Sequence, residues 1–92
     1  MEKEKISEKL KQFVLTELLR DSKYPIREDE ALFSSGMIDS FALARIGVFI
    51  ETEFDLYIAD DELTLDNMDT ISQMTTKVFE DLRAKQSAKK PE

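Results

Sequence analysis

Apolar residues recur at Ile6, Leu10, Phe13, Val14 and Leu18, a spacing that lines one side of a helix of about four turns. Glu8, Lys9, Lys11, Gln12 and Glu17 fill most of the other side, so the pattern predicts a first helix over residues 4–20. Residues 21–39 carry no sustained period. Pro25 lacks a backbone N–H and disfavours helical backbone at Tyr24, so the first helix must end before it. A loop of this length inside a small domain is unusual and often functional. Ile26, Leu32, Phe33, Met37 and Ile38 are too apolar for a free loop, and they predict one pinned across the helices.

A second helix is predicted from the Asp39-Ser40 pair to about Phe54, with one stripe of Leu43, Ile46, Gly47, Ile50 and Phe54. Offset from it lies a second stripe of Phe41, Ala44 and Val48. One apolar face is enough for the core of a small domain, so the second asks for another role. Gly47 costs about 1 kcal/mol relative to alanine inside a helix, which points to a close helix contact there. Residues 55–58 read as an extended link. Asp60, Asp61 and Glu62 suit the first turn of a short third helix, where negative charge complements the helix dipole, with Leu63 and Leu65 facing inward. Ile71, Met74, Val78 and Leu82 predict a fourth helix with Asp69 as its N-cap. No strict alternation suggests a strand, and no internal repeat is visible. The expectation is an all-α four-helix bundle over residues 1–82, followed by a frayed polar tail over 83–92. Its expected core is Ile6, Leu10, Phe13, Val14, Leu18, Leu43, Ile46, Ile50, Phe54, Ile58, Ile71, Met74 and Val78.

Composition narrows the function. The 92 residues are 41% hydrophobic and 36% charged, with a net charge of −7, as in a globular domain rather than a disordered tail. Residues 28–69 hold a single basic residue, Arg45, among many acids, whereas Arg83, Lys85, Lys89 and Lys90 follow Leu82. Nucleic-acid binding needs a basic stripe on the folded part, so no nucleic-acid partner is expected. Basic partner surfaces are, through electrostatic steering. The chain has neither cysteine nor histidine, which removes disulfides, zinc knuckles and Ser-His or Cys-His catalysis. Residues 1–5 lack the apolar centre of a signal peptide, and the longest apolar stretch, 46–50, is too short to cross a bilayer. The expected location is therefore cytoplasmic, as a monomer, with no membrane insertion.

The chemistry concentrates in Phe33-Ser34-Ser35-Gly36-Met37-Ile38-Asp39-Ser40-Phe41. A glycine-containing loop delivers Asp-Ser to the start of a long helix, whose unpaired N–H groups and partial positive charge favour a phosphate. Asp39 can cap that helix and leave the Ser40 hydroxyl free for modification. On spacing alone, however, the pair reads as an ordinary cap, and Ser40 has no nearby base except Asp39 to make it an intrinsic nucleophile.

Residues 32–54 resemble the acyl carrier protein family, including its aminoacyl and peptidyl carriers. Gly36-x-x-Asp39-Ser40-Phe41 is similar to the family's attachment motif, Asp-Ser followed by a large apolar residue. The run Ile46-Gly47-Val48-Phe49-Ile50-Glu51-Thr52-Glu53-Phe54 resembles the family's second helix, and Ile58-Ala59-Asp60-Asp61-Glu62 its link into the third. The likeness extends over about residues 6–82. It implies a four-helix bundle of acyl-carrier type carrying 4'-phosphopantetheine through phosphate on Ser40, with Asp39 as the flanking motif residue. The resemblance also implies a separate phosphopantetheinyl transferase that installs the arm from coenzyme A with magnesium, and enzymes that load and process an acyl or aminoacyl thioester. The carrier itself catalyses nothing and needs no metal ligands of its own. Such an arm would supply the sulfur that a cysteine-free chain lacks. Phe41, Val48, Glu51 and Arg45 are the candidate partner-binding residues; Ala44 is expected to be covered.

The chain departs from the fatty-acid type at Arg45, where those carriers usually have an acid, and at Ala59, where a proline is common. Its Gly-Met-Ile-Asp-Ser loop resembles the D-alanine carriers and other specialised carriers more closely. Two further classes compete. An acidic helical adaptor for a basic surface would explain the charge and the second stripe, but not Asp39-Ser40 after a glycine loop. An EF-hand begun at Asp60 needs glycine at Leu65 and glutamate at Ile71, and fails.

Overall fold

The computed structural model describes residues 2–88, all helix, turn and irregular chain with no strand among them. Helix α1, Lys3–Phe13, continues without a break into a π-helical segment, Val14–Leu18, where the Leu19 N–H donates to the Val14 carbonyl at 2.8 Å. Arg20 then takes a left-handed φ of 55°, and the Asp21 N–H reaches back to the Leu15 carbonyl at 2.9 Å. This closure ties off the last carbonyls of the helix. The helix therefore spans what the pattern predicts, but its second half is wound wider than α. Val14 and Leu15 are both buried as a result, while Phe13 and Leu18 are only partly covered.

Helix α2, Ala42–Phe54, ends at Asp55, which is also left-handed with φ 53°. Lys85 of the last helix holds that end, donating to the Asp55 carbonyl and, at 3.3 Å, to its carboxylate. The link that follows is extended, with Leu56 and Ile58 buried and Tyr57 between them exposed. The expected third helix is split in two: Asp60–Glu62 forms a 3-10 turn, and α3 is the single turn Leu65–Met68. Met68 is fully buried and Leu65 is exposed, so the inward position expected for Leu65 belongs to Met68. Helix α4, Ile71–Ala88, runs past Leu82 into the stretch expected as a tail; residues 89–92 lie outside the described ones.

Helices α1 and α3 pack against α4, and Ile46, Ile50 and Phe54 of α2 complete the core. Of the expected core residues, Phe13, Leu18 and Leu43 are partly buried and the others are buried. Phe13 instead stacks on Phe49 with ring centroids 4.3 Å apart, a geometry that stabilises a half-covered pair. The long loop supplies Ile26, Leu32, Phe33 and Ile38 to the same core, whereas Met37 stays exposed. The close approach expected at Gly47 comes from the turn before α3 rather than from a helix. A β-carbon at position 47 would lie 2.8 Å from Leu63 Cδ1.

Candidate functional site

The loop between α1 and α2 is fastened along its length to the start of α4. Ser72 N–H donates to the Glu28 carbonyl at 2.8 Å, and Leu32 N–H donates to the Asp69 carbonyl at 2.8 Å. The Asp69 carboxylate takes three more donors, from Phe33 N–H at 2.7 Å, Ser34 N–H at 3.0 Å and the Ser34 hydroxyl at 2.6 Å. Burial pushes the Asp69 carboxyl up, but the Ser34 hydroxyl and the Ser34, Phe33 and Leu32 N–H groups outweigh it and hold the group below its ordinary value. At the other end of the loop, the Tyr24 hydroxyl donates to Glu30. That bond raises the tyrosine and lowers the glutamate.

Asp69 was expected to cap α4, and the structure gives that role to Thr70 and Gln73. Gln73 N–H donates to Thr70 Oγ1 at 3.0 Å, while Gln73 Oε1 accepts from the Thr70 and Asp69 N–H groups at 3.1 and 3.0 Å. This is a reciprocal capping box, legible in Thr70-x-x-Gln73. It frees the Asp69 side chain to face the loop.

From there the chain turns towards Ser40. Ser35 Oγ donates to the Ala31 carbonyl at 2.7 Å, Gly36 sits at φ +83°, and the Ile38 N–H donates to the Leu32 carbonyl at 2.9 Å. Asp39 follows, its carboxylate accepting from the Phe41 N–H at 2.8 Å. Ala42 and Leu43 N–H groups donate to the Asp39 and Ser40 carbonyls at 2.9 and 3.0 Å. The helix thus begins with a tight turn at Asp39 and becomes α-helical at Ala42. Ser40 is exposed, and among the described residues its hydroxyl has no hydrogen-bond partner. This arrangement fits a covalent group on Ser40 Oγ, because the hydroxyl is exposed and it is Asp39, not Ser40, that accepts from the Phe41 N–H in the turn before α2. It fits less well the idea of a phosphate cradled by free amides, since those of residues 41–43 are already engaged and the Asp39 carboxylate lies alongside.

The second stripe of α2 is open to solvent. Phe41 is 85% exposed and Val48 63%; Ala44, expected to be covered, is exposed as well. Phe13, Ala44, Arg45, Val48, Phe49 and Thr52 line an open, mostly apolar groove on this face. Arg45 stands at its edge, exposed and 3.8 Å from the Glu17 carboxylate, and Glu51 is exposed on the same helix. The pattern points to neither Phe13 nor Phe49 for this groove, because Phe13 reads as a core position and Phe49 lies on neither apolar stripe of its helix. Lys77 of α4 ties down the 3-10 turn through Glu62 at 2.7 Å and also meets Asp81 at 3.1 Å. Glu62 first and then Asp81 raise the lysine against the opposing effect of burial.

Among the described residues no set of three or more His, Cys, Asp or Glu converges as a metal site would require, and no helix is long and apolar enough to cross a membrane. No protein-family model matches the chain, and no curated protein matches it at a significant level.

Proposed function

We propose that this chain is a carrier protein that holds an acyl or aminoacyl group as a thioester on a 4'-phosphopantetheine arm attached to Ser40. The observation that carries the reading is the division of labour at the start of α2. The Asp39 carboxylate accepts from Phe41 N–H in the turn that leads into α2, while the adjacent Ser40 hydroxyl is exposed and unpartnered among the described residues. Attachment joins Ser40 Oγ to the phosphorus that carries the pantetheine of coenzyme A, breaks the diphosphate bond, and releases adenosine 3',5'-bisphosphate. The serine proton leaves to a base that the transferase supplies, since Asp39 is committed to the backbone. The exposed Phe41, Val48 and Arg45, with Glu51 nearby, are the residues proposed to meet partner enzymes.

The test is intact mass after incubation with coenzyme A, magnesium and a broad-specificity phosphopantetheinyl transferase, for wild type and Ser40→Ala. Addition of one phosphopantetheine to the wild type alone is the expected outcome. No addition to folded wild type would end the carrier reading. An acidic adaptor is then the reading that the exposed α2 face favours, and its partner binding would be unchanged in Ser40→Ala.

A further inference from the structure

The bonds around Asp69 have a direction. Its backbone carbonyl and carboxylate hold Leu32, Phe33 and Ser34 through four donors, and the carbonyl of Leu32 in turn accepts from Ile38 N–H, two residues before Ser40. Leu32 is fully buried, and Phe33 and Ile38 nearly so, so both ends of the relay sit in the core. A residue on the junction between α3 and α4 therefore fastens the stretch of loop that leads to Ser40, although it is far away in the chain and does not touch the serine. The carboxylate is not needed to cap α4, because Thr70 and Gln73 do that. No other side chain among the described residues bonds to the Phe33 or Ser34 amides. Turn bonds within the loop, such as Gly36 N–H to the Phe33 carbonyl at 3.0 Å, shape it but do not attach it to a helix.

We infer that Asp69 is a positioning residue for modification of Ser40: it clamps the loop onto α4 so that the serine is presented in one place to the enzyme that modifies it. The inference rests on the carrier reading for its biological meaning, but the clamp can be measured without it. With the clamp in place, the transferase meets a serine already ordered. Without it, the ordering of residues 33–38 is a cost drawn from binding. The effect should therefore fall on KM for the carrier more than on kcat.

The chain has no cysteine, so Ser40→Cys carries a single nitroxide label in the whole 92-residue chain. The measurement is the mobility of that label with Asp69 and with Asp69→Ala, alongside circular dichroism and, on unlabelled Asp69→Ala with Ser40 intact, transferase kinetics. Expected are unchanged helicity, a more mobile label, and a KM raised on the order of tenfold with kcat little altered, the size of one net hydrogen bond to a charged group. Ser34→Ala, which removes one of the four donors, should move both quantities the same way by less. It also serves if Asp69→Ala does not fold. An unchanged label in a folded variant overturns the clamp, whether or not the serine is modified. A label that is held with Asp69 and freed in Asp69→Ala, beside an unlabelled wild type that accepts no phosphopantetheine, keeps the clamp and removes the carrier reading, so the two failures are distinguishable.

Discussion

At the scale of single residues, Asp69 and Gly47 show how much one side chain, or its absence, decides. The Asp69 carboxyl lies below its ordinary 3.8 in the folded chain. A carboxylate depressed by folding contributes stability above its unfolded pKa and loses it as pH falls through the folded value. The stability gap between wild type and Asp69→Asn, read by urea unfolding, should therefore be full at pH 7 and shrink below about pH 4. A gap that persists unchanged into acid would mean that the carboxylate charge does not matter. At Gly47 two effects oppose each other: alanine would gain about 1 kcal/mol of helix propensity, but its β-carbon meets Leu63. Gly47→Ala should accordingly be nearly neutral alone and stabilise by about 1 kcal/mol in a Leu63→Ala background, a coupling that a double-mutant cycle reads directly.

The elements differ in how legible they were in advance. Helices α1, α2 and α4 follow from apolar spacing because each lays a continuous stripe on one core. The third did not, since Asp60–Glu62 and Leu65–Met68 are each a single turn, too short for periodicity to register. The cap of α4 was misassigned to Asp69 for a physical reason: an aspartate before a helix is a good cap when nothing competes. Here Thr70 with Gln73 competes and wins. Thr70→Ala should cost about 1 kcal/mol in thermal or urea unfolding while leaving a label at position 40 as immobile as in the wild type. That contrast with Asp69→Ala separates the capping of α4 from its hold on the loop. The exposure of Phe41 and Val48 was anticipated as one of two roles for the second stripe. The choice depends on what lies opposite, and periodicity carries no information about that.

At the scale of the whole molecule, one core is shared by three helices, the short α3 turn and the loop, so damage at its centre should be felt everywhere. Ile50 and Met74 are fully buried, and truncating either to alanine should cost about 2–5 kcal/mol, a large fraction of the stability of a small domain. Denaturant titrations should show that loss with an unchanged slope if the domain stays two-state. The loop was predicted to be pinned because it is apolar, but its attachment to α4 was not. Phe33 N–H and Asp69 belong to distant segments, and hydrogen bonds between backbone and a remote side chain leave no periodic trace. Ser40 stands out in the sequence as a candidate through its neighbours, whereas the bonds that fasten the loop before it are visible only in three dimensions.

The π-helical segment at Val14–Leu18 has a consequence for length. A π turn is what remains when an α-helix accommodates one surplus residue without breaking. This helix is in that sense one residue overlong, and the chain around it absorbs the excess. Deletion of Thr16, a half-buried residue whose hydroxyl donates to the Gln12 carbonyl of its own helix, should let the segment rewind as plain α-helix with the bundle intact. A single-residue deletion inside α2 has no such slack to remove and should rotate Phe54 off the core. Tolerance to losing a residue, scored by folding across a deletion scan, would then peak at the π segment rather than in the exposed loop.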